Sequence, residues 1–398
     1  MRRRTLGIPL LFVLLAVCFS LTGCGTSHVV CPTTSGSTCS CGAPGTGACP
    51  IDALWLLYAT TTSNQILGFS IGPSGALTAL PSTPGPAGSE SVAVNGNSMM
   101  FADTATNSID SVYADLVTGA LTPIQGSPFS LGTADGGPTG IAWGPDFFLY
   151  ATEPNGTIVG FGTGGELGSL GTELPGSPYA AGVAPSQMAF AANGNSGTFF
   201  LYASDPGDPN GGVLAYSFDS TGALTPIQSS PFPTLPGANP TFVLFAPYYP
   251  SLGTQGTQFV LVSLADVAKV AVFAVDSNTG SLSPAPGSPF SVGNGPSTLA
   301  ADVSNHVFVM NAGDHTVSAF NLASNGVLTA IGSPVPVGTA SGGMTFAGAF
   351  SLEELFVADT TASAIWTLNL DPTTGQLSQA GSPTMVPSPP AQLTFMRQ

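Results

Sequence analysis

The chain is poor in charge. Its 398 residues include five Lys or Arg, 21 Asp or Glu and three His. An ordinary soluble domain carries roughly 25% charged residues; here the figure is 7%. So few cations exclude nucleic-acid binding, whose affinity comes from Lys and Arg on phosphates. Helix signals are also missing. No apolar pattern keeps a 3.6-residue period, and no capping pattern recurs. Gly and Pro, 51 and 36 residues, break almost every stretch. Apolar residues still make up 43% of the chain. A disordered chain would have far fewer apolar residues and more charge, so the composition describes a folded, helix-poor protein.

The longest apolar run lies at the N-terminus. Residues 1–23 read as an export signal, with Arg2, Arg3 and Arg4 ahead of the short apolar run 8–21. That run is short for a membrane span, and a cleavage pattern follows it. Leu21-Thr22-Gly23-Cys24 resembles the bacterial lipobox. The resemblance implies cleavage before Cys24, lipidation of Cys24 and anchoring to the bacterial membrane. Gly25 after the cysteine implies the outer membrane if two membranes are present. The competing reading is a plain secretory signal with a chance cysteine. Cleavage would leave Lys269 and Arg397 as the only cations against 21 carboxylates.

Residues 24–50 form a tether rich in Gly, Ser, Thr, Pro and Cys. Cys31, Cys39, Cys41 and Cys49 make an even set, which in an oxidising compartment points to two disulfides. Cys31–Cys39 with Cys41–Cys49, and Cys31–Cys41 with Cys39–Cys49, both remain open. A four-thiolate zinc site is the rival, but C-x7-C-x-C-x7-C is unlike the usual zinc spacings.

From residue 51 onward the chain repeats. A Gly-x-Leu unit, usually followed by Thr or Ser and then by Ser-Pro, recurs seven times. Its copies begin at Gly75, Gly119, Gly165, Gly222, Gly280, Gly326 and Gly375. Each repeat holds four strand-like segments. The first often follows Pro, as at 138–143, 185–190, 240–245 and 296–301. The second is a short apolar run, as at 148–152 and 200–204. The third alternates, as at 66–71 and 317–322. The Leu-Thr segment is the fourth. Asp219-Ser-Thr-Gly222 and Asp276-Ser-Asn-Thr-Gly280 read as hairpin turns in which Gly supplies positive φ.

Four strands per repeat at this period predict an all-β, seven-bladed β-propeller of four-stranded antiparallel blades over residues 51–398. Ala93, Ala142, Ala189 and Ala300 mark the crowded innermost strands. The domain begins on a second-type strand at 54–60 and ends on an orphan first-type strand at 392–395. The two are expected to pair, so that the C-terminal strand closes blade 1 and hides two open edges.

The turns between second and third strands carry acids in six of the seven blades: Asp103, Glu153, Asp205 with Asp208, Asp266, Asp314 and Asp359. With almost no cations nearby, they predict an acidic binding face. Ca2+ is the one cofactor this pattern leaves open, because hard cations take carboxylate oxygens; otherwise the sequence calls for none. The plainer reading is that Asp and Asn are favoured turn residues; Asn64, Asn107, Asn155 and Asn210 occupy the same turns. His315 beside Asp314 is the histidine placed on this face, where it would serve as a general base on water. Asp314, His315 and Glu153 are therefore the catalytic candidates, although the pattern specifies no catalytic set.

Leu149-Tyr-Ala-Thr152, Leu201-Tyr-Ala-Ser204, Asp314-His-Thr-Val317 and the Gly-x-Leu-Thr…Gly-Ser-Pro-Phe units carry a resemblance. They resemble the seven-bladed lactonase-type propellers, related to YVTN-repeat surface proteins, over residues 51–398. That resemblance implies 6-phosphogluconolactonase-like or other lactone chemistry, with Pro-His dipeptides and Arg near the channel. Here Thr139, Ser186, Thr241, Ser297 and Ala391 follow the matching prolines, Lys269 is the sole basic residue in the central part of the domain, and Arg397 lies at its C-terminal tip. Phosphate recognition needs cationic donors, so the phosphosugar substrate is disfavoured. The leading expectation is a lipid-anchored propeller that binds an unidentified ligand or protein partner without catalysis. The alternatives are a hydrolase of a neutral lactone and a structural component of the cell envelope.

Overall fold

The computed structural model describes residues 29–30, 38–39 and 55–396, apart from 73, 86–88, 133–135, 145–146, 166–167, 193–198, 251–255, 341 and 350–351. The chain divides into two units, Met1–Asp52 and Ala53–Gln398. In the first, Val29–Val30 pairs antiparallel with Thr38–Cys39. The export signal, Cys24, Cys31, Cys41 and Cys49 lie outside the described residues.

The second unit is the seven-bladed propeller that the repeat predicts. Blade 2 runs outward through Ser89–Asn95, Ser98–Asp103, Ser108–Ala114 and Leu121–Pro123. Blades 3 to 7 start on Gly140–Trp143, Met188–Ala192, Pro240–Pro247, Pro296–Ala301 and Met344–Ala349. Blade 1 is assembled from both ends of the unit. Trp55–Thr61 pairs with Gln65–Ile71 on one side and with the C-terminal strand Pro390–Met396 on the other. Leu57 opposes Phe395 and Ala59 opposes Leu393, so the ring closes as expected.

Blade stacking explains the residue types. Second strands are covered on both faces, and Ser98–Asp103 and Gln258–Leu264 are buried at every position. Of the predicted crowded alanines, Ala93 and Ala300 are buried, whereas Ala142 and Ala189 are half-buried.

Two of the sequence repeats turn out to touch each other. The Tyr58 hydroxyl donates to the Gly119 carbonyl at 3.1 Å, Tyr150 to Gly222 at 2.7 Å, and Tyr202 to Gly280 at 2.7 Å. A tyrosine in one second strand thus grips the hairpin glycine of the next blade. These glycines have φ of 71°, 82° and 71°, a backbone that other residues adopt at a cost.

The Ser-Pro element interrupts the outermost strand. The Oγ atoms of Ser127, Ser177, Ser230 and Ser288 accept from the N–H groups of Ser111, Gly160, Ala215 and Val272 in their own third strands. Blade 6 differs, for its Gly-Ser-Pro run lies inside one strand, Leu328–Pro336. A bulge opposite Val317 and Ala319 absorbs the turn there.

Candidate functional site

Second-to-third turns and the links between blades emerge on one face, here called the upper face. The two hairpins of each blade emerge on the lower face. The acids expected on the upper face are present there, but most of them are occupied.

Asp205 is 1% exposed. Its Oδ2 accepts from the Val183 N–H at 2.9 Å, and its Oδ1 from Ala184 at 2.8 Å and Gly207 at 3.2 Å. It ties the link entering blade 4 to that blade's own turn. Asp359, equally buried, does the same in blade 7. Its oxygens accept from the Thr339 N–H and hydroxyl, the Ala362 N–H and Trp366 Nε1–H. Burial pushes this carboxyl up, yet these donors together hold it below the usual range. Asn311 replaces the acid in blade 6 and accepts from the Gly293 N–H. Asp103 accepts from Ala105 and Thr106 within its own turn. Glu153 is buried, and its Oε2 accepts from the Thr157 hydroxyl at 2.8 Å. Asp208 is half-buried and accepts from the Asn210 N–H, while Asp266 is exposed in a short 3-10 turn.

Asp110 is an acid that sequence reading passed over. It stands opposite Phe101 on the third strand of blade 2. Burial first, then the Asp103 charge and a side-chain hydrogen bond to Asp103, push its carboxyl up to about 6. A polar residue opposite a core phenylalanine was its only signal.

Asp314 and His315 are adjacent, but each is drawn to a different link. Asp314 is exposed and accepts from the Asn294 N–H at 2.7 Å and Nδ2 at 2.8 Å. These contacts hold its carboxyl below the usual range. His315 Nδ1 lies 3.1 Å from the Ala340 carbonyl oxygen. With φ of 53°, His315 occupies a left-handed turn position like that of Asn64, Asn107 and Ser363. The Nδ1 contact assigns the proton to Nδ1 and leaves the Nε2 lone pair as the basic site.

An uncharged, polar-lined mouth surrounds the axis. A cavity of about 340 Å3 opens among the innermost strands and takes lining residues from all seven blades. Ser91, Gln187, Thr241, Ser297, Thr298 and Gln392 supply hydroxyls and amides, and Ile141, Met188, Phe242 and Met344 supply apolar walls. No acid, imidazole or cation is among its described lining residues. A second cavity, about 540 Å3, lies at the lower end of the same strands. Val94, Phe346, Phe395 and Met396 give it apolar walls, and Asp302 adds a carboxylate to its lining. Gln187, Thr241, Ser297, Thr298 and Gln392 fall one or two places after the prolines that open their first segments, and that spacing is the signal for them; Ser91 follows no such proline. Among the described residues, no group of three or more His, Cys, Asp or Glu is arranged to hold a metal ion.

No protein-family model matches the chain, and no curated protein does. Solved structures do. The periplasmic gluconolactonase of Pseudomonas aeruginosa is similar at 18% identity and a TM-score of 0.69, over 86% of this chain and 99% of that one. A putative 6-phosphogluconolactonase from Bacteroides fragilis is similar at 17% identity and 0.68, over 88% and 99%. Another from Bacteroides uniformis is similar at 17% identity and 0.68, over 87% and 100%. These likenesses establish a shared seven-bladed fold.

Proposed function

We propose that the propeller takes a neutral sugar lactone at its upper axial mouth and acts as a lactonase-like hydrolase. The observation that carries this reading is the mouth itself: amides and hydroxyls from several blades around an uncharged cavity of about 340 Å3. Such groups donate to and accept from ring hydroxyls and a lactone carbonyl. A phosphorylated lactone would need cationic donors. Lys269, at the start of the third strand of blade 5, is the one Lys or Arg among the described residues and does not line this mouth. The likeness to a periplasmic gluconolactonase supports the reaction class.

Hydrolysis needs a base for the attacking water. Among the three candidates, Glu153 and Asp314 are engaged as acceptors, whereas His315 retains a basic Nε2. His315 is therefore the residue to test. Because no base lines the mouth among the described residues, binding without turnover is the second reading.

A pH-stat assay of residues 51–398 against neutral aldonolactones, with a phosphorylated lactone alongside, separates the two. Turnover of the neutral compounds that is lost in His315→Ala supports the hydrolase. Calorimetric binding without turnover supports the binder, and preference for the phosphorylated compound overturns the neutral-substrate reading.

The N-terminal pattern completes the proposal with export and lipid attachment at Cys24. A Cys24→Ala chain would appear uncleaved and unlipidated, by mass and by detergent partitioning.

A further inference from the structure

Six of the seven repeat glycines rest on the second strand of the preceding blade, at one equivalent position; in blade 3 Gly165 has no such neighbour, and Gly168 takes its place. That position holds Leu56 under Gly119, Phe148 under Gly222, Phe200 under Gly280 and Phe259 under Gly326. Blade 2 offers Ser98 under Gly168. Blades 6 and 7 break the pattern with ionisable side chains, His306 under Gly375 and Glu354 under Gly75.

The two exceptions are not alike. His306 has a partner, since its Nδ1 lies 2.6 Å from Asp302 Oδ2. Glu354 is 6% exposed, and its Oε2 is buried without a hydrogen-bond partner. A Cβ on Gly75 would come within 3.0 Å of Glu354 Cγ, so the blade 1 turn sits directly on this side chain. A buried carboxylate with no cation to pair with is costly, while a protonated carboxyl costs much less.

We infer that Glu354 is a proton-operated latch on the seam between blade 7 and blade 1, tight when the carboxyl is protonated and loosened when it ionises. Burial, and then the charge of Glu353, push this carboxyl up to about 7. The sign follows from linkage. A carboxyl raised above its ordinary value stabilises the folded state at acid pH, and that contribution is lost as pH rises from 4.5 through about 7. The surroundings do not oppose this. Across its own sheet Glu354 faces Ala347 and Asn369. The turn it supports, residues 74–77 of blade 1, has no ionisable group. Glu353 interacts with Asp302 and His306 of blade 6. Asp371, in the outer hairpin of blade 7, is held below the usual carboxylate range by the Thr373 and Thr374 N–H groups, with His306 a lesser contributor.

The seam matters because blade 1 is the blade that closes the ring. The test compares wild type, Glu354→Gln and Glu354→Leu as full chains from pH 5 to 8.5. Melting temperature and amide exchange, corrected for intrinsic rates, are read together. Glutamine mimics the protonated acid, and leucine copies Leu56 of blade 1. The expected result is that both variants melt a few degrees above wild type at pH 8 and level with it at pH 5. Wild type alone should lose protection at 65–79 between pH 6 and 8. A melting difference independent of pH overturns the latch, as does a loss of protection spread evenly over all seven blades. If Glu354→Gln fails to fold, Glu354→Leu carries the same comparison.

Discussion

The upper and lower faces of this propeller carry similar acids in opposite states. On the upper face, Asp103, Asp205 and Asp359 end buried second strands and point their oxygens at backbone N–H groups. On the lower face, Asp115, Asp219, Asp276 and Asp371 open the outer hairpins and are exposed. Both sets cap turns. Asp205 and Asp359 also tie separate segments together, as when Asp205 reaches Val183 and Ala184 across more than 20 residues of chain, whereas Asp103 accepts within its own turn. Asp205, Asp314 and Asp359 on that face thus fasten the links between blades, and the proposed function draws on the uncharged axial mouth instead.

If upper acids are fastenings, removing one should cost much. Asp205→Ala would strip the acceptor from three N–H groups, and the expected loss is roughly 3 kcal/mol of folding stability, read by urea denaturation. A loss no larger than that of a lower-face variant would break the comparison. Asp359→Asn should cost less, roughly 2 kcal/mol at neutral pH, because an amide keeps one acceptor. Its pH dependence is the sharper test. A carboxyl held below its ordinary value stabilises the fold above about 4 and loses that contribution as pH falls through its folded value. The gap between Asp359→Asn and wild type should therefore close in acid.

Asp110 is expected to behave in the opposite way. It crowds Asp103, and its carboxyl is raised to about 6. Its ionisation works against the fold as pH rises from 3.8 through about 6. Asp110→Asn should melt slightly above wild type at pH 8 and level with it near pH 4. A variant less stable at both pH values would mean that Asp110 is a fastening like its neighbours.

The architecture was legible because blades are built by repetition. Seven Gly-x-Leu units counted the blades, and the orphan strand before Phe395 announced how the ring closes. The site was less legible, for a physical reason. The sequence places Asp205 and Asp276 in turns alike, but it does not show which one receives N–H groups from the link between blades. That depends on the approach of a segment distant along the chain. The pairing of Tyr150 with Gly222 was hidden in the same way, although both residues belong to visible repeats. Gln187 and Gln392 looked like ordinary strand residues until ring closure brought them to one mouth.

The smallest effect belongs to the lower face. Asp276 is exposed, and its Oδ1 accepts from the N–H groups of Asn278 and Thr279 within the same turn. These contacts hold its carboxyl below the usual range. They are local, so replacing the Asp276 carboxylate removes contacts within one hairpin and none that its oxygens make to another blade. In Asp276→Asn the amide oxygen can still accept from the same turn. The melting temperature should stay close to wild type at neutral pH, and a drop approaching that of Asp205→Ala would show that lower-face acids also fasten the ring. The axial mouth should be indifferent to this change. Lactone binding measured on Asp276→Asn should match wild type, whereas Gln187→Ala, within the mouth, should weaken it.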